Sequence, residues 1–227
     1  MNESLETKYL TAITAFTTFL MGYIDAYTFV EKSEVFASAQ TGNVVILISR
    51  LTEGQWVDAI LNLSTFLGFA LGAFIGQAML DFFKNYGMKK YFIFLSIQII
   101  YLLILALSQE ILSSNILVFL LGFLAGYELT LFRQFGKTTV NNGIMTGNVK
   151  NLMNHFYKMI FKKDNKSTYE VKILFISFFI FMFGIGLGTL AIKIGPIYNL
   201  WGALLINVIF YCWLKIKIKN TKSNMQI

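Results

Sequence analysis

Two carboxylates stand inside stretches that are otherwise apolar, and they are the first candidates for chemistry in this sequence: Asp25 and Glu128. Asp25 ends a stripe of Thr11, Thr14, Thr18 and Gly22, spaced by three or four residues, so hydroxyls, a glycine and an acid share one helical face. A carboxylate in hydrocarbon is costly, which implies a proton or cation site, or a partner for a cationic group, facing the protein interior. The other reading places Asp25 near enough to the outer headgroups to be wetted, or has it cap a break before Glu31. Glu128 precedes Arg133 by five residues, about 140° around a helix, so the two are not a local ion pair. Arg133 sits at the basic end of its apolar run, as a cytoplasmic anchor would; a buried pair with Asp25 or Glu128 is the alternative.

A second set of polar residues recurs. Thr41-Gly42-Asn43 and Thr146-Gly147-Asn148 are each followed by Val and a run of helical character. A hydroxyl, a glycine and an amide in sequence suit a helix N-terminus or an unwound turn whose backbone groups meet a ligand; an ordinary cap and loop is the plainer account. The motif has company in both parts of the chain. Gly22-Tyr23 precedes the first copy, Gly126-Tyr127 the second, and the runs that follow carry Gly68 with Gly72 and Gly184 with Gly188. We read this as an internal repeat, roughly 8–108 and 113–215, within a single membrane domain, 1–227, that ends in a basic cytoplasmic tail, 216–227.

Other chemistries find no support. One histidine, His155, and one cysteine, Cys212, cannot build a zinc cage or a disulfide, and no nucleophile–base cluster is present. No metal, no cofactor and no enzymatic activity are expected. The net charge of +7 does not argue for nucleic acid, because the basic residues sit beside apolar runs, where cytoplasmic flanks and anionic headgroups account for them.

The elements that must position these residues are membrane helices. Of the 227 residues, 56% are hydrophobic and 14% charged; mean hydropathy is +0.62. Charges gather in short intervals and leave six runs long enough to span: 9–30, 56–80, 91–107, 116–132, 171–192 and 196–214. The segment before the first run carries Glu3 and Glu6 and no cleavage site follows, so the first helix is expected to stay. With six spans, all but three of the 19 Lys and Arg fall on one side, the exceptions being Lys32, Arg50 and Lys193, which places both termini in the cytoplasm. A seven-span alternative, in which 37–50 also crosses, gives the same division of charge. Its 14 residues would reach only about 21 Å against a core of about 30 Å. The expected fold is therefore an all-α polytopic bundle of about six spans, two three-helix repeats in inverted orientation, plus short re-entrant or interfacial helices. One such helix follows the second motif, with Val149, Leu152, Met153, Phe156 and Ile160 on its apolar face and His155 solvated on the other. The fourth-position glycines, including Gly76 and Gly122, predict close packing within the chain or in a homodimer, and Gln77, Gln98, Asn62 and Asn207 predict hydrogen bonds between helices.

The run Gly22-Tyr23-Ile24-Asp25-Ala26 with Phe29, Phe36 and Thr41-Gly42-Asn43, followed by Arg133, Gly136, Thr146 and Gly147, resembles the YoaK-like family of bacterial inner-membrane proteins of unknown function, over nearly the whole chain. The resemblance implies an inner-membrane location and a membrane fold, and no activity. Glu128-Leu129 stands here where that family carries a Gln-Asn pair, so no role passes to these two positions by resemblance. From the residues themselves, the expectation is a secondary transporter or permease for a small solute or proton, with Asp25, Thr41, Gly42, Asn43, Glu128, Arg133, Thr146, Gly147 and Asn148 as binding or coupling residues and the lipid bilayer as the constant partner. A non-transporting scaffold, sensor or accessory subunit is the alternative.

Overall fold

The computed structural model describes residues 3–136, 138–140, 143 and 145–224, with side chains from Leu5 to Thr221. Its order is α1 (Glu3–Glu31), α2 (Gln40–Thr52), α3 (Trp56–Phe82), α4 (Lys89–Ser108), α5 (Ser114–Leu131), a two-rung hairpin β1 (Gln134–Phe135) and β2 (Thr138–Thr139), then α6 (Met145–Lys162), α7 (Asn165–Ile194) and α8 (Ile197–Asn224). Among the described residues six helices are long and apolar enough to cross a membrane, and these correspond to the six expected runs, with α1, α7 and α8 longer by several residues. The helix that overlaps 37–50 is α2, of 13 residues, which at about 1.5 Å per residue reaches only about 20 Å. The basic tail is a continuation of α8 as far as Asn224, held to α1 by a 2.7 Å hydrogen bond between Tyr9 and Thr221; residues 225–227 lie outside the described set.

Two helix pairs make the frame. α3 runs parallel to α5, and α1 parallel to α7, each so close that the contact surface is glycine against backbone. A Cβ on Gly68 or Gly72 would overlap the carbonyl oxygens of Phe119 and Phe123, and one on Gly122 or Gly126 those of Thr65 and Phe69. In the other pair Gly184 and Gly188 meet the carbonyls of Phe19 and Tyr23, while Gly22 meets that of Phe181. Without a hydrophobic drive between helices in lipid, such backbone approach is what dispersion and weak polar contacts reward.

α4 and α8 pack antiparallel and close the bundle, with Ser96 near Tyr211 at one end and Gln109 donating to the Ile197 carbonyl at the other. α8 also runs antiparallel to α1, where Phe16 stacks on Phe210 at 4.1 Å. The apolar centre is made of Leu20, Met21 and Ile24 of α1 against Leu117, Leu121 and Leu124 of α5. On the outside, Phe74, Ile104, Phe183 and Ile209 are exposed, as lipid-facing side chains should be.

Several side chains depart from expectation. Gln77 bonds Asp81 within α3 and does not reach another helix. His155 is half-buried rather than solvated: its Nδ1 lies 3.2 Å from the Ser167 hydroxyl, because the turn before α7 folds back onto α6. That turn is capped by Asp164, which accepts from the Lys166 amide and the Ser167 hydroxyl, and the Ser167 bond holds its carboxyl below the usual carboxylate range. Val149, Met153, Phe156 and Ile160 do form the exposed apolar face of α6, with Leu152 turned in against α7.

Candidate functional site

The threonine stripe of α1 faces protein throughout. Thr11 accepts from the Gly136 amide at 2.7 Å, Thr18 bonds back to the Thr14 carbonyl, and Gly22 lies against α7. One turn further on, Asp25 is buried at 5% exposure, which decides between the two readings of it: the acid is inside the protein. Its Oδ1 accepts from the Ser38 amide at 2.9 Å and its Oδ2 from the Ser38 hydroxyl at 2.5 Å. Thr28, one turn after Asp25, accepts from the Ala37 amide and so ties down the next residue of the same segment. Among the described residues no cation stands opposite Asp25; every group it bonds is neutral.

Ser38 joins two parts of the chain that leave the bundle from opposite ends. The segment after α1 carries Ser38, and the segment after the antiparallel α5 carries Gly143, whose carbonyl lies 3.1 Å from the Ser38 hydroxyl. A side chain at Gly143 would overlap Ser38, so the two segments touch backbone to side chain. The geometry has a chemical consequence, because Ser38 has one proton and two acceptors. When Asp25 is ionised the serine proton belongs to the carboxylate. When Asp25 carries its own proton, it donates to Ser38, and Ser38 is free to donate to Gly143. One serine proton is thus shared between two acceptors, the Asp25 carboxylate and the Gly143 carbonyl.

The Thr-Gly-Asn motifs form the first turns of α2 and α6, and each contributes its asparagine. Asn43 brackets Phe36, accepting from its amide at 2.9 Å and donating to its carbonyl at 2.6 Å, which folds the segment back toward Asp25. Asn62 donates to Asn43 at 3.4 Å and accepts from Arg50, which also holds the Ser33 carbonyl. Asn148 is likewise buried, with its amide toward the Met145 sulfur. Thr41 and Thr146 are exposed, and Gly42 packs on the Phe36 ring, so the motif works through its amide more than through its hydroxyl. Gly147, beside Asn148, is half-buried.

Between α1, α7 and the two segments lies a cavity of about 390 Å³, lined by Asp25, Phe29, Phe36, Thr146, Phe181 and Ile185 among others. Glu128 is not part of it. It is fully buried on α5, and neither oxygen has a hydrogen-bond partner among the described residues; Gln98 of α4 and Asn207 of α8 are in the same condition. Among the described residues, then, Gln98 and Asn207 do not make the bonds between helices expected of them, whereas Asn62 of α3 does, to Asn43 of α2. Arg133 is exposed and borders a separate polar recess of about 490 Å³ with Tyr91, Thr130 and Thr139, so it does not pair with Glu128. Among the described residues no group of three His, Cys, Asp or Glu could hold a metal ion.

Sequence reasoning missed Ser38, Gly143, Thr28 and Arg50. The first two had a usable signal: each stands three residues before the threonine of a Thr-Gly-Asn motif.

Comparison with known proteins agrees with this architecture. No solved structure matches the chain. A curated relative, the UPF0700 transmembrane protein YoaK of Bacillus subtilis (strain 168), is 21% identical over 152 residues, which cover 65% of this chain and 68% of that protein. Residues 13–213 match a family model described as "Protein of unknown function (DUF1275)". With Asp25, both Thr-Gly-Asn motifs and all but the outer ends of α1 and α8 inside that match, this multi-pass membrane protein belongs to the DUF1275 family.

Proposed function

We propose that the protein is a secondary transporter or permease for a small solute, with its binding site in the cavity beside Asp25. The observation that carries this reading is the Asp25–Ser38–Gly143 junction: segments from opposite ends of the bundle meet at a buried acid that lines a cavity. In this reading 8–108 and 113–215 are inverted repeats. The pairing of α3 with α5 and of α1 with α7 supports that, since exchanging α1 with α5 and α3 with α7 turns one pair into the other. Both termini are cytoplasmic and the segments around Ser38 and Gly143 are re-entrant from opposite faces, in keeping with the charge distribution. Asp25 is the coupling residue. Protonation of Asp25 releases the Ser38 proton to Gly143 and tightens the junction; ionisation loosens it. Asn43 and Asn148 hold the segments in place. No catalytic role is assigned to any residue.

The test does not require the solute. Ala39, half-buried on the cavity wall, is changed to cysteine in a Cys212→Ser background, with Glu53→Cys and Lys166→Cys as markers of the two faces. An impermeant thiol reagent is expected to reach Glu53→Cys only from outside, Lys166→Cys only from inside, and Ala39→Cys from either side of sealed vesicles. Reaction of Ala39→Cys from one side alone removes the alternating path and favours a non-transporting membrane module.

A further inference from the structure

The cavity beside Asp25 has an unusual division of chemistry. Apart from Thr146 and Thr189, its other lining side chains are apolar: Phe29, Val30, Phe36, Met145, Phe181 and Ile185 among them. Thr189 has its hydroxyl committed to the Ile185 carbonyl. Among the described residues Asp25 is the only ionisable group in the lining, and no cation faces it. At the rim, Phe29, Val30 and Ile185 are 41%, 52% and 37% exposed on helices long and apolar enough to cross the membrane. Part of the rim therefore belongs to the outward faces of α1 and α7, and a small hydrophilic solute would meet mostly apolar walls and one acid.

From this we infer that the site takes a single-chain amphiphile with one cationic, hydrogen-bonding head, an alkylammonium or similar lipophilic amine, entering from the bilayer. The ammonium sits against Asp25, replacing the missing counter-charge, and the chain lies along Phe29, Phe181 and Ile185. A carboxylate head of the same length would face Asp25 with like charge. A neutral polar solute would leave the apolar walls unused. The inference deepens the transport reading and rests on it for its physiological sense, while binding itself can be measured without flux.

The experiment uses the full chain with Thr189→Cys and Cys212→Ser, in detergent, alkylated by N-ethylmaleimide. Dodecylammonium is expected to slow alkylation by roughly tenfold, and dodecanoate at the same micellar fraction to leave the rate unchanged. Asp25→Asn should abolish the protection without unfolding the protein, because its amide oxygen still accepts from the Ser38 amide while its nitrogen donates to the Ser38 hydroxyl. Ile185→Trp, which fills the cavity and leaves Asp25 intact, should abolish it as well. Equal protection by dodecanoate, or protection that survives Asp25→Asn in a folded protein, overturns the assignment. Protection with Ala39→Cys reactive from one side only would keep this ligand class and sink transport; the reverse pattern would keep transport and sink the ligand class.

Discussion

Asp25 and Glu128 show how differently two buried acids can be housed. Asp25 has a hydroxyl, an amide and a cavity; Glu128 has no partner among the described residues. A partnerless carboxyl in a membrane helix is the costliest kind of buried group, so its replacement by a shape-compatible apolar residue should stabilise the fold. Glu128→Leu is expected to raise stability by about 1–3 kcal/mol, read as a higher thermal midpoint in detergent. A lower midpoint would mean that Glu128 contributes a bond that stabilises the bundle. Both acids were visible in the sequence, since a charge in an apolar run needs no structure to be noticed. What was not visible was their inequality. The partners of Asp25 come from Ser38, 13 residues on in an irregular segment, and the Ser38–Gly143 contact beyond it spans a sequence separation of 105. At Arg133 the place at the basic end of its run favoured an exposed anchor over a buried pair, and the side chain is exposed.

At the scale of elements, glycine spacing decides the packing. Gly72 lies against the Phe123 carbonyl, whereas Gly186, on the same helix as Gly184 and Gly188, has open space around its missing side chain. Gly72→Ala should therefore cost about 1–3 kcal/mol through forced separation of α3 from α5. Gly186→Ala should be neutral or stabilise by about 0.5–1 kcal/mol, since alanine is the better helix residue. Thermal denaturation of the two variants side by side tests this, and equal destabilisation would show that the glycine–carbonyl contacts do not hold the pairs together. The six spans were legible because hydropathy and length constrain a membrane helix from sequence alone, and the fourth-position glycines announced close packing. Which helix each glycine face meets was not legible, because the same spacing serves any neighbour, including a second copy of the chain. The fold-back of α7 onto α6, which buries His155 against Ser167, was equally hidden in a polar loop of ordinary appearance.

For the molecule as a whole, each close pair takes one helix from before the α4–α5 connection and one from after it. Neither 1–112 nor 113–227 contains a complete pair, so each fragment expressed alone should fail to accumulate, while the two expressed together should assemble and copurify through a tag on one of them. Stable accumulation of a lone fragment would show that the pairs are not the unit of folding. The same arrangement bears on how the chain is made. α1 is the least hydrophobic of the six spans, and it carries the threonine stripe and Asp25. Its partner α7 begins about 130 residues later, a delay on the order of ten seconds at ordinary rates of synthesis. Throughout that interval the least hydrophobic of the six spans must stand in the bilayer, or beside the insertion machinery, with its intended neighbour not yet written.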